Sequence, residues 1–104
     1  MHAKSTPIPV FRALQKIGRD LRDARKRRRI PMELAAARAG ISRTTLSKIE
    51  KGDEGVAVGA YVRVMFIMGM VQRFAELADM KFDQIGLELE SEKLPKRIRI
   101  GKGK

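Results

Sequence analysis

From Val10 to about Arg29 apolar residues recur at three- and four-residue steps. Leu14, Ile17, Leu21 and Ala24 form one stripe, while Arg19, Arg22, Lys26 and Arg29 fall on another face. That spacing predicts a first helix. Asp20 and Asp23 stand three and four residues from basic neighbours, where each pair adds a few tenths of a kcal/mol. Ile30-Pro31 breaks the pattern, because a residue before proline is pushed out of the helical region. Pro31 suits the start of a second helix, where its missing N–H costs nothing. This helix is predicted over Met32–Ala39, with Gly40 ending it. Ser42 is a good N-cap for a third helix, Arg43 to about Lys51. Its Leu46 and Ile49 point inward, while Arg43, Thr44, Ser47, Lys48 and Lys51 remain outside. Gly52 closes it. After the Asp53–Gly55 turn, a fourth helix is predicted from about Ala57 to Met68. Beyond Gly69 a fifth is predicted from Val71 to Asp79, carrying Phe74, Leu77 and Ala78.

The remainder is less regular. Met1–Pro9, with Pro7 and Pro9, reads as a loose arm, and 10–80 as the folded domain. Residues 81–104 read as a C-terminal extension, partly disordered or pairing as a short strand. Within it Ile85, Leu87 and Leu89 alternate as in a strand, yet Ile85 and Leu89 also suit a helix. "KRIRI", Lys96 to Ile100, alternates apolar and basic residues, and "GKGK" reads as disordered. Gly55–Val71 is apolar except for Arg63. A spanning helix needs about 20 apolar residues. This run is shorter and is broken by a charge and glycines, so it predicts a core helix and no membrane span. Met65, Met68 and Met70 fit as core filler. The fold class expected is all-α.

Two short helices joined through a glycine make a helix-turn-helix. Ala36 lies four residues before Gly40, where a small side chain lets the helices cross closely. Ile41 plugs the core after the glycine. With Ala36, Gly40, Ile41, Ser42 and "IEKG" from Ile49 to Gly52, the chain resembles the XRE/Cro-type repressors over about Leu14 to Met70. The resemblance implies a five-helix, lambda-repressor-like domain, here with a basic C-terminal extension. It also implies that Ser42–Lys51 is the recognition helix, lying in a DNA major groove. Arg43, Thr44 and Ser47 are then the candidates for base readout. Ser42, Lys48 and Lys51 are candidates for phosphate, as are Arg22, Lys26 and Arg29 on the first helix. Similar proteins pair an arginine late in helix 1 with the glutamate of "IExG", which gives Arg25 and Glu50 a structural role. The chain departs from the family at Pro31-Met32, where a hydroxyl residue and a phosphate-binding glutamine are usual. No phosphate contact is therefore assigned to Met32.

Charge sharpens this picture. The chain has 104 residues and a net charge of +11, which favours a polyanionic partner. Residues 1–52 carry +10, residues 53–92 carry −5, and residues 93–104 carry +6. The acidic segment suits a surface turned towards protein. There is no cysteine, hence no disulfide framework and no thiolate metal site. No secretory signal opens the chain, and a cytoplasmic, nucleoid-associated protein is expected. No phosphate loop, metal cluster or nucleophile–base pair is present, so no enzyme, metal or cofactor is expected. His2, the sole histidine, falls in the arm and carries no role.

"GISRTTLSKIEKGDEGV" followed by "LPKR" further resembles the HipB-like antitoxins, which are encoded beside HipA-like kinase toxins. That resemblance implies a dimeric autorepressor of a palindromic operator that also binds a kinase. Two alternatives stand beside it. One is a stand-alone phage-type or metabolic repressor. The other is an interaction adaptor whose helix-turn-helix no longer reads DNA.

Overall fold

A computed structural model of the chain describes residues 5–98. Six α-helices and one 3-10 turn follow in order: α1 Ile8–Arg27, α2 Met32–Ala39, α3 Arg43–Glu50, α4 Val58–Ile67, α5 Val71–Ala75, the turn Met80–Phe82, and α6 Gln84–Ile98. The fold is all-helical, with no strand among the described residues. His2, Arg99, Ile100 and "GKGK" lie outside them. Two compact units meet in sequence between Phe74 and Ala75, six residues before the boundary expected from the pattern.

In the first unit α1 packs on α3, and α2 packs on both α3 and α4. Their shared core holds Leu21, Ala24, Ala35, Ala36, Ala39, Leu46, Ile49, Tyr61, Val64, Met65 and Met68. Burying such side chains stabilises by about 1.5–3 kcal/mol for each large one. Three alanines on α2 leave room for its two neighbours. Met65 and Met68 fill the core, and Met70 packs at its edge.

Four helices in succession end in the same backbone motif. The N–H of Ile30, Ile41, Asp53 and Met70 reaches back to the carbonyl of Arg25, Ala36, Lys48 and Met65 respectively. The residue before each has positive φ: Arg29, Gly40, Gly52 and Gly69. This is the Schellman closure, which satisfies carbonyls that a helix end would otherwise orphan. Ile30, Ile41 and Met70 then turn onto the core. α1 therefore stops at Arg27, two residues before the periodicity ran out, and Arg29 stands in a left-handed conformation at φ 55°.

Arginines supply further C-terminal caps. Arg28 donates from Nη1 to Ala24 O (2.9 Å) and from Nη2 to Met68 O (3.1 Å), tying the end of α1 to the end of α4. Arg63 donates to Ala39 O at the end of α2 (3.2 Å). A cation there also meets the negative end of the helix dipole.

Tyr61 is buried and donates its hydroxyl to Asp53 O at 2.8 Å. Burial first, and the Asp53 charge second, push the phenol above its ordinary 10.0. The folded state thus holds this proton longer than the unfolded chain does. The associated stability is complete below pH 10 and is lost as pH rises through the folded-state value. Melting temperature should fall as pH rises above about 10, and the fall should be shallower in Tyr61→Phe. Equal slopes for the two proteins would exclude this source.

The second unit corrects two expectations. The fifth helix ends at Ala75, not Asp79. Asp79 turns its carboxylate onto the Lys81 N–H (2.9 Å) and opens the 3-10 turn instead, a local bond that competes with helix continuation. The strand considered for 81–104 is replaced over Gln84–Ile98 by α6. Asp83 caps this helix by accepting the Gly86 N–H at 3.1 Å. An isolated strand leaves its backbone groups unpaired, whereas a helix satisfies them within itself.

Candidate nucleic-acid interface

Residues Gly40 to Ser42 form the corner between α2 and α3. Gly40 has φ 73°, and a Cβ there would come within 2.8 Å of Arg63 Nη1. Ile41 is half-buried against the core. Ser42 is extended, and its Oγ accepts the Thr45 N–H at 3.0 Å. The same hydroxyl donates to Thr45 Oγ1 at 2.9 Å. Its proton is thus spent on the cap. The groups that remain for an anion at this end are the N–H groups of the first turn of α3.

One side of α3 is anchored and the other is free. Leu46 and Ile49 are fully buried. Arg43, Thr44, Lys48 and Lys51 are exposed, whereas Ser47 is only half-exposed, on the flank of the helix. Of the three side chains considered for base readout, Arg43 and Thr44 therefore stand fully out into solvent and Ser47 only in part. Lys48 joins them. Arg43 Nη1 lies 3.4 Å from Glu33 Oε2 in the first turn of α2, with both side chains exposed. Such a pair contributes at most about 1 kcal/mol, so a guanine or a phosphate can displace Glu33.

Glu50 braces α3 from below. Arg25 donates from Nε to Glu50 Oε2 (2.7 Å) and from Nη2 to Oε1 (3.1 Å). Its Nη1 donates to Ile30 O at 3.0 Å. Each residue is 8 % exposed. The hydrogen bond to Glu50 raises the arginine pKa against the opposing effect of desolvation.

Arg22 and Lys26 follow Gly18 along α1, the helix that packs on α3. Gly18 is the contact point, since a Cβ there would meet Ile49 O, Glu50 O and Gly52 N. Lys26 is exposed; Arg22 is half-buried, 3.6 Å from Asp23, with a buried Nε that has no hydrogen-bond partner. Arg29 does not share their helical face, because α1 ends before it. Of the carboxylates on α1, Asp20 pairs with Lys16 at 2.6 Å, well exposed. Met32 is half-buried against the core, which accounts for an apolar residue at this position.

Sequence reasoning gave no role in the site to Gly18, Arg28, Glu33 or Arg63. Only Gly18 carried a readable sign, a glycine inside a strongly periodic helix, which marks a close packing contact when it is not an error of the pattern.

Among the described residues no cluster of His, Cys, Asp and Glu could hold a metal ion, and no helix is long and apolar enough to cross a membrane. A family model described as a helix-turn-helix domain matches residues 16–79, more than half of the chain. No curated protein and no solved structure matches it.

Proposed function

The chain belongs to the helix-turn-helix domain family, and on that premise we propose that it is a sequence-specific DNA-binding repressor that acts as a homodimer on a palindromic operator. The observation that carries this reading is the two-sidedness of α3. Its inner residues are locked by the core and by Arg25–Glu50, while Arg43, Thr44, Lys48 and Lys51 are exposed on a strongly basic unit. A rigid helix with polar, cationic and methyl-bearing side chains outward suits the donor and acceptor pattern of a major groove. Arg43 and Thr44 read bases, with Ser47 contributing at the edge. The first-turn amides beside Ser42, together with Lys48, Lys51, Arg22, Lys26 and Arg29, hold phosphates. Two copies on one operator place their half-sites about 34 Å apart.

Selection of bound sequences from random duplex DNA tests the reading. Arg43→Ala should relax preference at one base position, a loss of about 1–3 kcal/mol of discrimination. Lys48→Ala should weaken all sequences alike and reduce the salt slope by about one. No effect of either change on binding would remove α3 from the interface. Glu33→Gln removes both the competitor for Arg43 and a charge that repels phosphate. It should tighten binding by about two- to fivefold, within the range of an exposed pair. Unchanged or weaker binding would mean that Glu33 positions Arg43 rather than restrains it.

The resemblance of "GISRTTLSKIEKGDEGV" and "LPKR" to HipB-like antitoxins supports a narrower role, in which the repressor also binds a HipA-like kinase toxin. Affinity purification from the native host tests it. Co-purification of a kinase-fold protein in near-equal amount supports the antitoxin role, and recovery of the chain with DNA alone favours a stand-alone repressor.

A further inference from the structure

The first unit carries an open cavity of about 540 Å³ beside α4. Val58, Phe66, Val71 and Phe74 supply its apolar wall, and Arg38 and Arg63 stand at its edge. Phe66 is 67 % exposed, although a phenylalanine gains most when buried. No carboxylate lines the groove, and among the described residues neither arginine forms an ion pair with one. An exposed apolar groove rimmed by charge marks an interaction surface.

The second unit presents a complementary surface. On α6, Ile85 and Leu89 lie one turn apart and are 72 % and 53 % exposed. Glu88 and Glu92 fall on the same face, at spacings of three and seven from Ile85. Both are exposed. Leu87, on the opposite side, is the half-buried one, so the unit's own packing does not use the Ile85–Leu89 face. One surface offers apolar side chains with two guanidinium groups, the other offers apolar side chains with two carboxylates.

We propose that α6 of a second copy of this chain docks in the groove, with Ile85 and Leu89 against Phe66, Val71 and Phe74 and with Glu88 and Glu92 facing Arg38 and Arg63. The docking is reciprocal, so a two-fold dimer contains two such contacts. It places the Glu88–Glu92 side of each α6 on its partner's arginines. The inference rests on the dimer in the proposed function, and names the surface that makes it.

Sedimentation of the full chain without DNA tests it. The unaltered chain should dimerise over a concentration series. Phe66→Glu and Leu89→Glu should each raise the dimer dissociation constant at least about thirtyfold, the loss expected at a central contact. Both positions are exposed, so melting temperature should stay close to that of the parent. Mixing the two variants is the decisive step. The Phe66→Glu chain keeps an intact α6, and the Leu89→Glu chain keeps an intact groove. Their heterodimer therefore has one sound contact and should form more readily than either homodimer. Absence of that recovery would overturn the docking, because two grooves facing each other cannot complement in this way. A dimer indifferent to both changes would also overturn it. A chain that stays monomeric would overturn the docking and the dimer together, while DNA binding by the monomer is read separately in a titration with single half-sites.

Discussion

Gly18→Ala should lower the melting temperature of the protein by about 4–16 °C. A Cβ at Gly18 would lie 2.6 Å from Ile49 O, 2.8 Å from Gly52 N and 2.9 Å from Glu50 O. All three are backbone atoms, so no side chain can swing aside. α1 would have to move away from the end of α3, opening the contacts of Leu21, Leu46 and Ile49. Overpacking of this kind costs about 1–3 kcal/mol, sometimes more. Alanine returns up to about 1 kcal/mol through helix propensity, and the clash with three fixed atoms outweighs it. In a domain of this size each kcal/mol shifts the melting temperature by about 4–8 °C. Gly52 faces the same crossing from the other side. Its Cβ would meet Leu14 O at 2.6 Å, and its φ is 77°. Thermal denaturation followed by circular dichroism measures both. A Gly18→Ala protein that melts within about 3 °C of the parent would show that α1 can withdraw cheaply.

Glu50→Ala should be more damaging still, for a different reason. It leaves Arg25 charged, 8 % exposed and without its carboxylate. Removing one partner of a buried pair costs about 3–5 kcal/mol, much of it the desolvation of the charge left behind. Arg25→Met should cost a similar amount by orphaning Glu50, and it also frees Ile30 O, which Arg25 caps. The double variant should be milder than the sum, because both charges are gone together. A double-mutant cycle should give a coupling energy above about 1 kcal/mol. Additive losses would mean that the two side chains act independently despite their bidentate geometry. Because Glu50 lies on the inner face of α3, partial loss of the pair should also loosen that helix. DNA affinity should then fall in Glu50→Ala at temperatures where the chain is still folded.

Both predictions concern the crossing of α1 with α3, and this is where the sequence and the structure part. The corner from Ala36 to Ser42 was readable because its rules are local. Gly40 follows an alanine-rich run, and Ser42 precedes a new period, so both ends of the turn lie within a few residues. The outward side chains of α3 followed from the same periodicity, apart from Ser47, whose flank is half-covered by tertiary neighbours. Gly18 is the contrary case. In the sequence it is a poor helix former within a good helix; its purpose is the backbone of α3, more than thirty residues away. Arg28 and Arg63 likewise look like ordinary surface cations, because Met68 O and Ala39 O, to which they donate, belong to other helices.

The stretch from Asp79 to Leu89 shows the same division. Ile85, Leu87 and Leu89 fit a strand and a helix equally well as a pattern. A strand must find a partner for every backbone group, and α6 needs none. By itself the sequence determined the all-α class, the helix-turn-helix corner, the capped start of α3 and its cationic face. These depend on hydrogen bonds and periods that close within one or two helical turns. The tertiary structure alone decided how closely α1 approaches α3, which arginines close which helix ends, and which apolar faces stay uncovered. Those depend on where distant backbone atoms come to rest, and no local pattern records that.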